Sequence, residues 1–324
     1  MVCSNQKRGM PVIWKEREES RTKEELETVL RRLPKRHAQY GQAEKDYYAE
    51  VAGQAGEERF DHYYAASRVT FPHLMLHDVR LKSFRIFQMD SVMITQWGIY
   101  MFEVKNMNGR MLFNSHPVQM LQMKEDGTVI GRKSPLEQMA ENEWLLEEWL
   151  REREILFPAR SVLVLSYSKQ IAENVPASQP ILFSHQVPRF LHTLPVEKAI
   201  LNPDEMKALG DMMIAALVHF TPKPICDNPR YPIAAMRRGV WCAACDRIGM
   251  VRRYGNWRCP SCGVLDKNAH VRTIRDWFLL TGEPMTNRLG REILCVDDRR
   301  LVTRLLGGME LNRNGTFKDS SYQL

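Results

Sequence analysis

The 324-residue sequence predicts an α/β fold in which a mixed sheet is covered by helices on both sides, followed by a small cysteine-bearing ribbon and a short helical tail. Three observations carry this. Residues 87–106 alternate with period two on either side of Gln96-Trp97, the pattern of a β-hairpin. A helical pattern beginning at Ser134 separates that hairpin from the apolar strand Ser161–Tyr167, as in a layered α/β core. Two CxxC pairs, Cys242/Cys245 and Cys259/Cys262, stand 13 residues apart, a spacing suited to a zinc ribbon.

The elements follow in chain order. Residues 14 to 50 are charge-dense, with Leu26, Val29, Leu30 and Leu33 at helical spacing, so an amphipathic helix is expected. In the hairpin, a turn centred on Gln96-Trp97 places Asp90 opposite Glu103 and Gln88 opposite Lys105. An extension near Gly109–Phe113 follows, then a helix from Ser134 to about Glu154. That helix should start with a Ser134/Glu137 capping box and Pro135, and bury Leu136, Met139, Ala140, Leu145, Leu146 and Trp149. Its acids Glu141, Glu143, Glu147, Glu148, Glu152 and Glu154 read as a solvated face. Ser161–Tyr167 and Pro180–Phe183 are further strands. Asn202 and Glu205 open another capped helix through about Phe220, with Met206, Met212, Met213 and Leu217 as core filler. Four prolines in 221–237 mark a linker.

The hairpin carries the chemistry. Opposed residues of an antiparallel pair have Cβ atoms about 5 Å apart on one face. Two carboxylates at that distance repel by roughly 3 kcal/mol at an effective dielectric of 20, so a buried Asp90–Glu103 pair calls for a cation. Phosphodiester hydrolysis asks for this equipment: hard oxygen ligands for Mg²⁺ or Mn²⁺, a positioned water and nearby positive charge. Asp90 and Glu103 are the candidate ligands, joined by the carbonyl of Val104. Lys105 is the candidate group to orient or deprotonate the water, with a pKa expected to fall on burial beside a metal. Gln88 would sit at the rim. The competing reading is an amphipathic hairpin with one wet, charged face.

The spacing Asp90…Glu103-Val104-Lys105 resembles the core of PD-(D/E)XK nucleases, and its surroundings resemble their nuclease-related-domain (NERD) branch. The likeness spans about residues 50 to 185. It rests on Gly53-Gln54-Ala55-Gly56-Glu57 opening a helix, Leu76-His77-Asp78-Val79 in a strand, and Phe87-Gln88-Met89-Asp90. It continues through Phe102-Glu103-Val104-Lys105-Asn106 with Gly109, and Ser134-Pro135-Leu136-Glu137-Gln138. The resemblance implies an α/β/α nuclease-like core and a third acid at Glu57, which would otherwise be a Glu favouring a helix N-terminus. It implies a substrate-orienting role for Gln138, which would otherwise be a surface glutamine. His77 reads as a packed strand-end residue rather than a base. Enzymes of this fold often dimerise to cut both strands, so a homodimer is allowed.

The four cysteines would bind structural zinc, since four thiolates close the coordination shell. Cys3, Cys226 and Cys295 read as free thiols. Beyond the ribbon, three helical segments, about Asn268–Leu280, Asn287–Leu294 and Asp297–Leu306, precede a hairpin turning at Asn314-Gly315. This order fits a winged helix-turn-helix, or else a plain helical cap on the ribbon. From Arg230 onward 17 Lys+Arg face 9 Asp+Glu, a net of +8 against about −1 for the rest of the chain, so the overall +7 arises in this part. A basic third suggests a polyphosphate partner. Arg288, Arg291, Arg299, Arg300, Arg304 and Lys318 are the candidate DNA contacts.

The expected divisions are a charged helical segment (1–49), a nuclease-like domain (50–200), a helix and linker (201–237), a zinc ribbon (238–266) and a winged-helix-like domain (267–324). No run approaches a membrane span, and the polar N-terminus lacks a signal-peptide core, so a cytoplasmic protein is expected. The expected function is Mg²⁺- or Mn²⁺-dependent DNA cleavage. The alternatives are a DNA-binding regulator or adaptor on a nuclease scaffold and, more distantly, an RNA nuclease.

Overall fold

The computed structural model describes residues 13–116, 118–177, 179–194, 198–219, 222–315 and 320–324. Cys3, the segment Thr316–Lys318 and with it the candidate contact Lys318 lie outside the described residues. The chain divides into two compact units, Met1–Glu19 with Ala52–Phe220, and Ser20–Val51 with Thr221–Leu324. No helix among the described residues is long and apolar enough to cross a membrane.

The first elements in chain order are β1 (Ile13–Lys15), α1 (Arg21–Arg32), α2 (Tyr40–Ala66), β2 (His73–Lys82), β3 (Ile86–Thr95), β4 (Ile99–Lys105), β5 (Arg110–Ser115), β6 (Val118–Met123) and β7 (Val129–Arg132). They continue with α3 (Pro135–Arg151), β8 (Ala159–Leu165), β9 (Ile171–Glu173), β10 (Ile181–Phe183), α4 (Val187–Thr193) and α5 (Pro203–Ala215). The main sheet of the first unit runs β1-β2-β3-β4-β8-β10. It is mixed: β2, β3 and β4 pair antiparallel, whereas β1, β8 and β10 join their neighbours in parallel. One face packs α3 and α5 through Leu145, Leu146, Trp149, Met206, Leu209 and Met213. The other packs α2 and α4 through Phe60, Tyr64, Val187 and Leu191. The expected mixed sheet with a helical layer on each face is therefore present. A second sheet, β7-β6-β5-β9, shares a core with α3 and β8 through Met111, Phe113, Met120, Met139 and Leu163.

Several local expectations need correction. Residues 14–50 do not form one helix. Pro34 lacks an N–H and disfavours helical geometry at Leu33, which takes an extended conformation and caps α1. Gly53–Glu57 does not open a helix but lies inside α2, because apolar anchors recur on both sides of the glycines: Tyr40, Ala43 and Tyr47 before them, Phe60 and Tyr64 after. Ser134 is the N-cap of α3, yet its side chain makes no capping bond, so the Ser134/Glu137 box does not form. Ala140 is exposed; Asn142 takes a buried place on α3 and donates to Gln88 O at 2.9 Å. Glu143 is not solvated, since it accepts the Ser161 N–H. The Asn202/Glu205 box does form, with Asp204 and Glu205 N–H donating to Asn202 Oδ1 at 3.0 and 2.9 Å. Met212 is 38% exposed and leaves the core to Met206 and Met213.

The second unit adds β11 (Val240–Cys242), β12 (Arg247–Arg253), β13 (Asn256–Arg258), β14 (Leu265–Asp266), α6 (Ala269–Thr281), β15 (Met285–Thr286), α7 (Asn287–Leu294), α8 (Arg299–Gly307), β16 (Asn312–Asn314) and β17 (Ser321–Gln323). β11 to β14 form an antiparallel meander carrying the cysteines. The helices follow the expected spans, and α8 buries Leu301, Val302, Leu305 and Leu306. β15, β17 and β16 make a three-stranded antiparallel sheet that buries Tyr322. The Pro-rich stretch before β11 is packed, with Tyr231 and Met236 buried against α1 residues Leu26, Val29 and the adjoining Leu33.

Two glycines of α2 give opposite expectations. A methyl group at Gly56 would stand 2.6 Å from Ser166 Oγ and 2.9 Å from Asn106 Cβ, whereas one at Gly53 meets nothing within 4 Å. Gly53→Ala should stabilise by about 0.5–1 kcal/mol through helix propensity. Gly56→Ala should destabilise by about 1–3 kcal/mol through overpacking. Urea unfolding separates them, and equal stabilisation by both would contradict this packing.

Candidate active site

The predicted register of the hairpin holds through Ile94↔Ile99, Met93↔Tyr100, Val92↔Met101 and Ser91↔Phe102, with Gln96-Trp97 at the turn. The β3–β4 pairing ends there. Asp90 does not form the expected ladder pair with Glu103; its Oδ2 accepts the Val104 N–H at 2.9 Å. β4 meanwhile pairs β8 in parallel as far as Lys105↔Leu165. Two strands of one sheet thus part at their ends, and the carboxylate of Asp90 fills the fork.

The cause of the parting lies one strand further out. Asp78 has φ 49°, a left-handed conformation uncommon for a non-glycine residue, and the β2–β3 pairing skips Asp78 and Asp90. Side-chain alternation changes phase there. Leu74, Leu76, Val92 and Ile94 before the break share one core with Val79, Leu81, Phe87 and Met89 beyond it. Gln88 consequently turns away from the site instead of opposing Lys105; it is exposed and accepts from Arg80 Nη2 at 2.5 Å. Simple alternation could not reveal this, because it assumes an unbroken pleat.

At the fork the structure brings together Asp90, Glu103, Lys105 and Gln138. Glu103 is 4% exposed. Its Oε1 accepts from Lys105 Nζ at 2.5 Å and from Gln138 Nε2 at 2.8 Å. The Lys105 carbonyl is fixed by Ser166 N–H at 3.1 Å and Ser166 Oγ at 3.2 Å. Burial, and next the Asp90 charge, push the Glu103 carboxyl up to about 7. Burial likewise raises Asp90, against the pull of Lys105, the Val104 N–H and Arg17. Lys105 departs from the expected fall. Burial disfavours its charge, but Glu103, Asp90 and Glu57 outweigh burial and raise its pKa. Burial thus disfavours the charged form of both carboxyls even with Lys105 beside them, an effect that a hard divalent ion would oppose.

Glu57 belongs to a neighbouring cluster that the sequence did not disclose. Arg17, just beyond β1, reaches Glu57 at 3.2 Å, Asp61 at 3.0 Å and Asp78 at 3.3 Å. It also donates to Asp90 O at 3.3 Å and Ser91 Oγ at 3.1 Å. Asp78 Oδ2 accepts the Glu18 N–H at 2.8 Å, which holds its left-handed turn. Burial, opposed by Arg17 and reinforced by Asp90, sets the Glu57 carboxyl at about 7. His77 is buried, its pKa lowered chiefly by burial, and Nδ1 lies 2.9 Å from Ser91 Oγ, so it is a packed residue. Arg17 stands at least 40 positions from the acids it binds, and no local pattern marks it. Among the described residues Glu57, Asp90 and Glu103 do not form a three-acid group with ligand atoms all within 4.8 Å of one another.

The four ribbon cysteines do form such a group. Cys242 and Cys262 Sγ are 3.7 Å apart, and Cys245 and Cys259 Sγ 3.6 Å. Tetrahedral zinc with bonds of about 2.3 Å sets thiolates about 3.8 Å apart, so the cluster could hold such an ion. N–H groups of Cys262 and Ser261 pull the Cys259 thiol down to about 6. Cys226 and Cys295 are free, as expected. Of the candidate arginines, Arg299, Arg300 and Arg304 are exposed on α8. Arg288 is exposed but pairs with Glu292 at 3.3 Å, and Arg291 is half-buried with its Nε unpartnered.

Residues 52–166 match the family model described as a nuclease-related domain (NERD). The whole Asp90–Glu103–Lys105–Gln138 group and Glu57 fall inside the matched span, whereas Arg17, the cysteines and the tail fall outside it. Neither curated proteins nor solved structures gave a match. A nuclease-related domain points to nucleic acid as the partner.

Glu103 binds its proton more tightly folded than unfolded, so its stabilisation is complete below about pH 4.5 and is lost as pH rises to about 7. Thermal melting of the wild type should weaken across this window more than that of Glu103→Gln; parallel curves would contradict the buried-carboxyl reading. In the ribbon, Cys245→Ser or a zinc chelator should lower the melting temperature of the second unit by several degrees with loss of about one bound zinc, read by calorimetry and metal analysis. Unchanged melting would show that the cysteines hold no structural ion.

Proposed function

We propose, from the nuclease-related domain at residues 52–166, that the chain is a metal-dependent nuclease hydrolysing DNA phosphodiester bonds. The observation that carries this is the buried fork where Glu103 bonds both Lys105 and Gln138 while Asp90 is held beside it by the Val104 N–H. Asp90 and Glu103, with the Val104 carbonyl, are the residues that would hold Mg²⁺ or Mn²⁺. Such an ion supplies Lewis acidity toward a phosphoryl oxygen and lowers the pKa of a bound water.

The protein groups divide the remaining work. Lys105 positions the attacking water and places positive charge where the transition state becomes more negative. With a cation on the acids, the field that raises the Lys105 pKa would weaken, so that Lys105 could release its proton to solvent and its amine could then take one from the attacking water. Gln138 keeps Glu103 in one orientation. Glu57, held by Arg17, adds a negative rim that favours a cation. In the second unit, structural zinc fixes the ribbon. The order helix, strand, two helices, then a two-strand hairpin supports a winged-helix reading in which Arg299, Arg300 and Arg304 contact DNA phosphates.

One observation favours a second reading, a DNA-binding regulator or adaptor without cleavage. Lys105 already pairs with Glu103, and Arg17 with Glu57, so both acids have protein cations beside them. Plasmid cleavage decides between the two. With Mg²⁺ or Mn²⁺, Asp90→Ala, Glu103→Ala and Lys105→Ala should each lower the rate by about a hundredfold or more. Salt-sensitive DNA binding without cleavage under any of these conditions would establish the second reading. Cleavage that all three changes leave intact would place the chemistry elsewhere.

A further inference from the structure

A second site lies wholly within the second unit, in a cavity of about 450 Å³ between the ribbon and the helices that follow it. Arg252 of β12, Lys267, Arg275 of α6 and Arg304 of α8 line it. Among the described residues none of these four cations lies in a salt bridge, and the only acidic side chain in the lining is the exposed Glu310. Four cations gathered around a hollow whose one acidic side chain is the exposed Glu310 repel one another. Arg252 shows the effect: burial, and then the charge of Arg304, lower its pKa.

Arg252 is nevertheless held in place. Its guanidinium lies 5.3 Å from the ring centre of the buried Trp257, and Nη1 donates to Lys267 O at 3.4 Å. Stacking on an indole fixes the plane of the guanidinium while leaving edge N–H groups free. Asn268, the N-cap of α6, gives no side-chain capping bond and its carbonyl accepts the Val271 N–H at 2.8 Å, so its side chain stays available at the same cavity. Leu305, Met309 and Leu311 supply an apolar wall. The volume exceeds what a lone phosphate fills and suits a phosphate with attached sugar and base.

We propose that this cavity binds one nucleotide unit of a nucleic-acid strand, its phosphate between Arg252 and Arg304 and its organic part against Met309 and Leu311. Duplex contact through the exposed face of α8 needs no such recess, so this goes beyond the function proposed above. It is also independent of the chemistry at Asp90.

The test is fluorescence anisotropy of a labelled single-stranded oligonucleotide with the zinc-loaded full chain, without added Mg²⁺. Arg275→Gln, on an exposed part of α6, and Arg252→Gln should each weaken binding about tenfold. The salt dependence should fall by roughly one ion per lost contact. Arg258→Gln, an exposed ribbon arginine outside the cavity, should change binding less than about threefold. Zinc content and melting verify that each variant is folded, and Arg275→Gln, an exposed cavity residue with no part in the α8 contact, decides the matter should Arg252→Gln disturb the ribbon. Competition by deoxyadenosine monophosphate would identify a free nucleotide as sufficient; competition by unlabelled oligonucleotide alone would identify the strand. Equal losses in Arg258→Gln and Arg275→Gln, or no loss in a folded Arg275→Gln, would overturn the proposal. Neither outcome bears on cleavage, which Asp90→Ala tests separately.

Discussion

Two carboxylates at the end of a parted pair of strands, Glu103 buried and Asp90 half-buried, set the terms for the rest of the first unit. Asp90 and Glu103 each hold a proton more firmly than an exposed acid because burial removes the solvent that would stabilise their charges. Keeping them there requires donors aimed at them, and the structure supplies these from separate elements: the Val104 N–H, Lys105 and Gln138. α3 adds Asn142, which fastens the Gln88 carbonyl on the same strand as Asp90. The sheet and its two helical layers serve to bring groups distant in sequence to one fork.

The second dependence is on a short strap outside the matched domain. Arg17 enters beside β1 and gathers Glu57, Asp61 and Asp78. Without that guanidinium three partly buried acids would be left beside one another with no shared cation. Asp78 also carries the left-handed turn that breaks the β2–β3 pleat and frees Asp90 from the ladder. The geometry of the fork is therefore set partly by residues 17 and 18, far from the hairpin in sequence. The second unit uses a different device: its ribbon converges on four cysteines, next to a core that includes Trp257, Trp277 and Phe278.

What was legible in the sequence followed from local periodicity. The alternation at 87–106 gave the hairpin register from the turn as far as Ser91↔Phe102, beyond which the strands part. The cysteine spacing located the cluster, and Asn202 with Glu205 located the start of α5. Illegible features were those made by partners distant in the chain. Gln88 was misplaced because Asp78 breaks the alternation through a bond to Glu18 N–H, which no window on the strand contains. Ser134 lacked its capping bond and Ala140 its burial because tertiary packing, not the helix alone, decides those positions. The small β5–β7 sheet was missed beyond its first strand, its later strands being short and mostly half-exposed. The cavity at Arg252 and Arg304 joins residues 52 positions apart and has no motif.

A crystal of the full chain soaked in Mn²⁺, whose anomalous signal marks its position, would probe the fork most directly. A peak about 2.0–2.3 Å from carboxylate oxygens of both Asp90 and Glu103 is expected. It should disappear in Asp90→Asn crystals that retain the zinc signal at the cysteines. Ordered Asp90 and Glu103 side chains with no peak between them at saturating Mn²⁺, or a peak bound elsewhere and untouched by Asp90→Asn, would contradict a metal site built on these two acids.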